Sequence, residues 1–459
     1  MFPSAEQSNT MTTTIGATST RMTGTRWGIV ALLFFAITIS YVDRAVFGLL
    51  GPTLEGEFHW TEVEYSRMIM AFQLTYALGY VSAGRLLDLI GVRKGFLLVV
   101  GVWSAAAMAH GLVKYVPHGS VLTLGSAISV SLPVLMFGLV FAALGLAEGG
   151  SFPASIKTVA EWFPKEERAL ATGLFNAGSN AGAVACPLLV PLLVKCWGWP
   201  VGFYATGALG VIWMAAWWLW YSPPEQHPRT SAAELAYIRK DPPDSAGKVP
   251  WVKLLWCRQT WAFIVGMAAS SPVWWFYIFW GPKFLHKNFH LDLGASSLPL
   301  ALIFCGASIG GIGGGWLSSA LIRRGWSVNA ARKLAMLACG LAVAPVFSAP
   351  MLPASCAWAA VLLIGLAAAG HCGFAANLFT LVSDMMPRQA VGSVVGIGGM
   401  AGSLAAVVFA ERIGQVLGSG AGYQTPFTIA SLSYLVAMLI IHALVPKLDP
   451  LVLPHDAHD

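Results

Sequence analysis

The sequence has 459 residues, of which 56% are hydrophobic and only 10% are charged, and its mean hydropathy is +0.68. This composition excludes a soluble globular protein of the same length, which needs much more polar surface. The formal net charge of +6 does not indicate a nucleic-acid partner, because the basic residues lie between apolar runs and form no single patch. We therefore predict a polytopic membrane protein that binds no nucleic acid.

The chain begins with a Ser- and Thr-rich segment that has no apolar core, and we expect 1–26 to be a disordered cytoplasmic tail rather than a signal peptide. A helix needs about 20 apolar residues to cross a bilayer. Twelve stretches satisfy this requirement. They lie near 27–50, 66–87, 95–113, 132–157, 168–194, 199–221, 259–285, 295–321, 334–351, 356–382, 391–416 and 425–446.

The longest polar segment, 222–258, divides these stretches six and six. The predicted fold is therefore an all-α integral membrane protein with twelve transmembrane helices in two six-helix halves, 27–221 and 259–446. We expect 222–258 to be a cytoplasmic linker with a short amphipathic helix around Ala232 to Lys240, and 447–459 to be a cytoplasmic tail.

The two halves share a sequence pattern that indicates duplication. AEWFP, from Ala160 to Pro164, precedes ALATGLFNAGSNAG in the first half, and VSDMMP, from Val382 to Pro387, precedes AVGSVVGIGGMAG in the second. In both halves an acidic residue stands three positions before a proline and a Gly-rich span follows. We infer a repeated six-helix unit, as is common in secondary transporters.

Positive charge fixes the expected orientation. Twenty of the 27 Lys and Arg residues fall on one side of the predicted spans and six on the other, while Arg44 lies within a span. Cytoplasmic loops carry the excess of Lys and Arg. We therefore expect both termini to be cytoplasmic in a multi-pass protein of the inner (plasma) membrane.

The first span contains an adjacent charged pair, Asp43 and Arg44, in an otherwise apolar run. One such residue at a helix centre costs about 2.5–3.5 kcal/mol on insertion scales, so it usually faces a protein interior or a watery path. The pair is the first candidate site. The alternative is a structural pair near the outer end of the span, with Arg44 extending to the headgroups.

The loop between the second and third spans reads GRLLDLIGVRK, with Gly84, Asp88, Gly91 and Arg93. We predict a tight cytoplasmic turn in which Gly91 permits close approach and Asp88 accepts a charge-assisted bond or caps a helix. The motif resembles the signature loop of the major facilitator superfamily, and a weaker copy in the second half has Ser319 in the place of Asp88. The resemblance implies a role in gating.

Longer motifs resemble the anion:cation symporter family, and especially its bacterial hexuronate and sugar-acid branch. They are GLAEGGSFPASIKTVAEWFPKEERALATGLFNAGSNAGA at 145–183, SYVDR in the first span, SPVWWFYIFWGPKFL in the seventh, and NLFTLVSDMMPRQAVGSVVGIGGMAG across the tenth and eleventh. The resemblance extends from Trp27 to Pro446. It implies import of sugar-acid anions, namely hexuronates, aldonates or aldarates, together with protons.

The same resemblance implies roles for individual residues. Arg44 would bind the substrate carboxylate, which suits the planar fork of a guanidinium. Asp43 and Glu148 would couple transport to protons, because carboxyl groups in poorly solvated sites can alternate between neutral and charged forms. The remaining expected substrate-binding residues are Tyr41, Gln73, Tyr76, Ser179, Asn180, Trp274, His371 and Phe374.

Several of these roles have structural alternatives. Glu148 could only bond backbone groups, and His371 could be a satisfied core histidine. Asn176, Ser179 and Asn180 could serve close helix contact. Four aromatic residues of the seventh span could face lipid or the membrane interface instead of a sugar; they are Trp274, Trp275, Tyr277 and Trp280.

Two positions depart from the family pattern. Many relatives have an arginine where this chain has Phe141, seven residues before Glu148, and the family's tryptophan in the tenth span is Phe374 here. Losing that arginine removes a charge partner from the coupling acids, so we expect Glu148 to be more readily protonated. An uncoupled facilitator or exchanger of organic anions is therefore the alternative mechanism.

No nucleotide-binding motif, redox cysteine pair or metal-ligand spacing is present. We therefore predict neither a cofactor nor a metal site, and no enzymatic activity or catalytic residue. The expected partners are a small organic anion, protons and the lipid bilayer, and we expect the protein to act as a monomer. The alternative from a different class is a non-transporting membrane sensor.

Overall fold

Helices dominate the structure, a computed structural model that describes residues 22–117, 119–124, 128–241, 251–448 and 451. Most of both predicted tails and the middle of the predicted linker lie outside the described residues. The first-half helices are α1 (Thr25–Phe58), α2 (Glu62–Leu112), α3 (Leu132–Glu148), α4 (Ser151–Trp162), α5 (Lys165–Trp197) and α6 (Trp199–Trp220). Two short helices follow, α7 (Ala232–Ile238) and α8 (Trp251–Leu255).

The second half contains six longer helices: α9 (Arg258–Phe289), α10 (Ser297–Arg323), α11 (Val328–Val343), α12 (Ala357–Met385), α13 (Arg388–Gly418) and α14 (Gln424–Leu444). Short 3₁₀ segments at Val113–Tyr115, Ala344–Met351 and Ala354–Cys356 extend or join these helices. Within the described residues, eleven helical segments are long and apolar enough to cross a membrane. The predicted all-α membrane fold is confirmed.

The one predicted span that is absent from these eleven segments of the described residues, 66–87, is the first part of α2. This helix departs from helical geometry at Gly91, where φ is 78° and ψ is 160°. A positive φ is readily accessible only to glycine, so the residue ends one span and allows the next to begin. A Cβ atom on Gly91 would meet nothing within 4 Å, so backbone conformation, rather than the expected close approach, explains this glycine here.

The approach to the fourth span, whose structure the sequence left open, contains an antiparallel hairpin. Strand β1 (Val121–Leu124) pairs with β2 (Ile128–Ser131), in a register that joins Val121 to Ser131 and Leu124 to Ile128. The span itself is divided into α3 and α4 at Gly149 and Gly150.

The packing of α3 on α2 places Glu148 in the interior. A Cβ atom on Gly145 would lie 2.3 Å from the carbonyl oxygen of Phe72, and one on Gly149 would lie 2.3 Å from that of Tyr76. Both distances are shorter than real Cβ contacts, so only glycine allows the two helices to approach this closely. Glu148 lies between these glycines and is fully buried.

The two halves meet through α1 against α9, α2 against α13 and α5 against α10. At the first contact, Gly48 lies against the backbone of Ile278; at the second, Gly414 lies against Ser66. Between the halves lies a cluster of stacked aromatic rings in which Phe141 is 4.3 Å from Phe47 and 4.5 Å from Phe72, measured between ring centroids.

Candidate functional site

Arg44 lies at the centre of the candidate site. Its Nε atom donates to Oε2 of Glu148 at 2.9 Å, and its Nη2 atom lies 2.8 Å from the same oxygen in an ion pair. Nη2 also donates to the hydroxyl of Ser40, one turn earlier on α1, at 2.8 Å. Only 2% of the Arg44 side chain and none of the Glu148 side chain is exposed. The alternative in which Arg44 extends to the headgroups is therefore wrong for this structure.

Aromatic rings surround the guanidinium of Arg44. Its Cζ atom lies 4.3 Å from the ring centroid of Tyr41, 5.3 Å from that of Tyr76 and 5.4 Å from that of Trp275. A cation over an aromatic face is attracted by the ring quadrupole, more strongly where water is excluded. Because Trp275 belongs to α9, this contact joins the charge centre of the first half to the second half.

Asp43 is buried, with 2% of its surface exposed, but it does not pair with Arg44. Neither of its carboxyl oxygens has a hydrogen-bond partner among the described residues, and the same is true of Oε1 of Glu148. An ionised carboxylate without partners is costly away from water. Asp43 therefore lacks the charge partner that Glu148 has in Arg44.

Gln73 and Phe141 are both buried in the first half. Gln73 is 2% exposed, and its Oε1 lacks a partner within the described part of the chain. Phe141 is fully buried in the aromatic cluster, where it also lies 5.8 Å from Phe279 of α9. Position 141, where the family resemblance implies an arginine, therefore contributes apolar packing in this chain.

In the second half, His371 stacks on Trp274 with 4.9 Å between ring centroids and 9° between the planes. Nδ1 of His371 lies 2.7 Å from the hydroxyl of Tyr434. Phe374 is fully buried, and its ring lies 5.2 Å from that of Tyr434. It therefore packs on the residue whose hydroxyl contacts His371. His371 thus has a hydrogen-bond partner and is 8% exposed, which leaves both of its predicted roles open.

The neighbouring tryptophans of the seventh span have separate surroundings. Trp274 packs on His371 and Trp275 packs on Arg44. Trp275, Tyr277 and Trp280 are all less than 10% exposed, so the lipid-facing alternative is wrong for these three side chains. Trp274 is half-buried.

Ser179 and Asn180 lie on α5. The hydroxyl of Ser179 donates to the carbonyl of Asn176 on its own helix at 2.7 Å, and Asn180 is half-buried. The flanking Gly178 and Gly182 pack tightly against the backbone of α1. This environment favours the helix-packing alternative for Ser179. It leaves both predicted roles of Asn180 open.

The signature loop makes contacts within the first half. Asp88 accepts from Nζ of Lys157 at 2.6 Å, and Arg93 donates to the carbonyl of Trp218 at 2.7 Å while its guanidinium covers that indole. Gly84 is exposed, and a Cβ atom there would meet nothing within 4 Å. In the second half, Arg332 pairs with Asp384 at 3.0 Å and donates to Ser318, the neighbour of Ser319.

The sequence model of the Major Facilitator Superfamily matches residues 33–410. The chain belongs to the Major Facilitator Superfamily. As a member of this superfamily it is a membrane transporter and not an enzyme, as the sequence predicts. Within the described residues, no three His, Cys, Asp or Glu side chains come together in a way that could hold a metal ion.

Three relatives of this superfamily member have names that refer to sugar acids. It is 27% identical to the hexuronate transporter of Escherichia coli K12, with 96% of this chain and 98% of that protein covered. It is 26% identical to the probable galactarate/D-glucarate transporter of Bacillus subtilis, with 96% of each covered. It is 28% identical to a D-galactonate transporter of Escherichia coli, with 91% and 94% covered. The resemblance to the sugar-acid branch is confirmed.

Among solved structures, the fold is similar to that of a D-xylose-proton symporter, with a TM-score of 0.70 and 13% identity over 93% of this chain and 99% of that one. At this identity the likeness concerns the fold alone. It agrees with the predicted arrangement of twelve helices in two six-helix halves.

Sequence reasoning for this transporter did not identify three features of the site. Ser40 is in the SYVDR motif, and its spacing of four residues from Arg44 on a helix could have indicated their contact. Trp275 was grouped with its neighbours, and no local pattern distinguishes it. Lys283 was counted as a residue of the outer loop, but its side chain is fully buried between the halves.

Proposed function

We propose that this transporter imports a sugar-acid anion together with protons by alternating access of its two halves to the two sides of the membrane. The observation that carries the proposal is the buried guanidinium of Arg44, which is held by one carboxylate and enclosed by aromatic rings from both halves. The site is suited to a small hydroxylated anion with a planar carboxylate.

The proposed coupling depends on competition for Arg44. The carboxylate of Glu148 now occupies the donors that a substrate carboxylate would use. When Glu148 takes up a proton it loses its negative charge, and Arg44 becomes available for the substrate. When the substrate leaves, Glu148 gives up the proton and pairs with Arg44 again.

Asp43 is the second proposed proton carrier. Its buried carboxyl group lies next to Arg44 in the chain but makes no ion pair with it in the described structure. A carboxyl group that is neutral when buried can release its proton when the site opens to water. This property suits a residue that moves a proton once in each transport cycle.

The remaining polar groups would recognise substrate hydroxyls. Tyr41 and Tyr76 lie against Arg44 in the first half, and the buried Gln73, one turn before Tyr76, has an amide oxygen without a partner in the described part of the chain. From the second half, His371 with Trp274 provides a hydrogen-bonding edge and a stacking face. We also retain Asn180, Ser179 and Phe374 as candidates. Ser179 donates to a carbonyl of its own helix, and Phe374 packs on Tyr434, so both have contacts other than the proposed substrate.

The proposed substrate class is hexuronate, aldonate or aldarate. It is supported by the names of the relatives and by the buried guanidinium of Arg44, which could receive a carboxylate. The protein would act as a monomer in the inner membrane, with both termini and the segment 222–258 in the cytoplasm and with the signature loop of Asp88 and Arg93 controlling the inner side.

Uptake into proteoliposomes tests the proposal. We expect saturable uptake of at least one acid from a panel of hexuronates, aldonates and aldarates, increased by an inward proton gradient. Neutral hexoses serve as the matched control and should not be transported, because they lack the carboxylate. Absence of transport for every acid would refute the substrate class.

Phe141 supports an alternative mechanism, an uncoupled facilitator or exchanger. Since this position supplies packing and no charge, the coupling acids have one cation fewer than in many relatives. Saturable uptake that is unaffected by the proton gradient would favour this mechanism over symport.

A further inference from the structure

Four charged residues form a closed network between the halves, and we refer to Glu55, Glu62, Lys283 and Lys287 as the outer latch. Nζ of Lys283 lies 2.7 Å from Oε2 of Glu55 and 2.9 Å from Oε2 of Glu62. Nζ of Lys287 lies 3.2 Å from Oε1 of Glu55 and 2.5 Å from Oε1 of Glu62. Each carboxylate therefore bridges both ammonium groups, and the four charges sum to zero.

The outer latch joins the two halves. Glu55 is near the end of α1 and Glu62 begins α2, whereas both lysines belong to the last turns of α9. Lys283 is fully buried and its ammonium group lies 4.2 Å from the ring centroid of Tyr65. A buried charge is stable only when it is paired, so separation of the halves requires water to replace both carboxylates around Lys283.

The latch is continuous with the Arg44 site along α9. Trp275, Phe279 and Lys283 follow one another at four-residue spacing, which places them near one face of a helix. The rings of Trp275 and Phe279 stack at 5.7 Å, and Tyr65 of α2 donates to the carbonyl of Phe279 at 2.8 Å. One helix face thus contacts Arg44 at its inner end and the two glutamates at its outer end.

We propose that the outer latch closes the outer side of the transporter and must break and re-form in every transport cycle. Lys283 acts as the central positioning residue, because it alone in the latch is fully buried and binds both carboxylates. Loss of charge complementarity shifts the population toward the state that is open to the outside. The proposal rests on the alternating access described above.

Charge reversal of each half tests the latch. Glu55→Lys with Glu62→Lys leaves four positive charges, and Lys283→Glu with Lys287→Glu leaves four negative charges. We expect each pair of substitutions to lower uptake at least about tenfold. The fourfold variant restores all four opposite-charge contacts, and we expect its uptake to return to within about threefold of the original protein.

Accessibility of Ser66 provides a readout that needs no substrate. Ser66 is fully buried because Gly414 of the opposite half covers it. We would introduce Ser66→Cys after replacing the seven native cysteines, and measure its reaction with a maleimide that cannot cross the membrane. The rate should rise at least about tenfold in each half-reversed variant and fall again in the fourfold variant.

Two controls separate latch opening from unfolding. Lys114→Glu with Lys195→Glu makes the same change in net charge as Lys283→Glu with Lys287→Glu, but at exposed positions of the first half. In this control variant, Ser66→Cys should still react slowly. Ala262→Cys, fully buried in α9, should stay protected in every folded variant. Unchanged labelling of Ser66→Cys in folded half-reversed variants, or no recovery in a folded fourfold variant, would overturn the proposal.

A covalent test applies if the reversed variants do not fold. Glu62→Cys and Lys283→Cys would be joined by a flexible thiol cross-linker with a cleavable disulfide, since the two native residues meet through the ends of long side chains. We expect joining to stop transport and cleavage to restore it, with each single cysteine variant unaffected by the reagent. Transport that continues in the joined protein would refute the latch, whereas failure of the proposed substrate class would leave the labelling results unchanged.

Discussion

The guanidinium of Arg44 donates to Glu148 and Ser40 through its edge, while the rings of Tyr41, Tyr76 and Trp275 lie around it. Both interactions depend on a planar, delocalised cation. A guanidinium can exchange one carboxylate for another without changing its aromatic surroundings. In the proposed role, the edge of the guanidinium would select the anion, while its faces, packed on the rings, hold the residue in place.

Arg44→Lys tests the planar fork. A lysine ammonium keeps the charge but cannot make parallel hydrogen bonds to one carboxylate, and it packs less well among the rings. Loss of one charge-assisted hydrogen bond, about 1.5–3 kcal/mol, should raise the apparent KM for the transported acid about 10- to 100-fold.

The matched control for this substitution is Arg412→Lys, at an exposed residue of α13 that bonds only Gln415 among the described contacts. Its uptake curve should match that of the original protein. A normal KM in Arg44→Lys would show that the substrate carboxylate binds elsewhere.

At the residue scale, sequence reasoning identified the charged centre but not its surroundings. Asp43, Arg44 and Glu148 stood out because charges within apolar spans are rare. Adjacent positions such as Trp274 and Trp275 point about 100° apart on a helix, so which one contacts Arg44 depends on the rotation of α9 against α1. That rotation is set by long-range packing and leaves no local pattern.

At the scale of the elements, α7 shows how the predicted linker is held against the first half. The predicted short amphipathic helix is present at Ala232–Ile238, and its N-terminal Ser231 accepts from the backbone of Glu234. Glu234 is fully buried; it accepts from Nη1 of Arg26 at 3.1 Å and from the backbone of Thr25 at 3.2 Å. These bonds fix the linker helix to the start of α1.

Glu234→Gln should destabilise this attachment. Burial alone would raise the pKa of Glu234, but hydrogen bonds from Thr23, Arg26 and Thr25 outweigh burial and lower the pKa. The stabilisation is therefore complete above the unfolded pKa of about 4.3 and is lost as the pH falls through the lower folded pKa. We expect the substitution to cost roughly 1–3 kcal/mol at neutral pH and to lower the apparent Tm in detergent.

Glu225→Gln is the control for this experiment, because Glu225 pairs with Arg239 at an exposed position of the same linker. Its Tm should change little, since exposed ion pairs contribute about 0–1 kcal/mol. The difference between the original protein and Glu234→Gln should be constant above about pH 5 and should decrease as the pH is lowered from about 5 to about 3. A constant difference over that range would contradict the assigned role of the charge.

The apolar spans were predictable because a bilayer imposes a minimum length on every crossing helix. The hairpin of β1 and β2 was not, since its segment is apolar and rich in Ser and Gly without clear alternation. Gly91 marked the boundary between two spans, but the requirement for a positive φ became evident only from the backbone. Local composition therefore predicts the positions of the helices better than it predicts the structure of the junctions between them.

At the scale of the whole molecule, the Arg44 site and the outer latch lie along the same helix, α9. Arg44 pairs with Glu148 within the first half, and the outer latch pairs charges of the two halves. In the proposed cycle, proton uptake by Glu148 would break the first pair and separation of the halves would break the second. The order of these two events would decide whether protons drive accumulation of substrate or only accompany its exchange.

Glu148→Gln distinguishes these outcomes. The amide preserves the size of the side chain but carries no charge and releases no proton, so Arg44 is always available to the substrate. We expect exchange of internal for external substrate to continue with an unchanged or lower KM, while accumulation driven by a proton gradient is lost.

Glu64→Gln is the matched control, because Glu64 closes a capping box at the start of α2 and glutamine serves equally well there. If Glu148→Gln still accumulates substrate against its gradient, another group carries the proton, and Asp43 becomes the residue to test. If exchange is also lost in a folded protein, the carboxylate is needed to position Arg44 and the competition between Glu148 and the substrate is wrong.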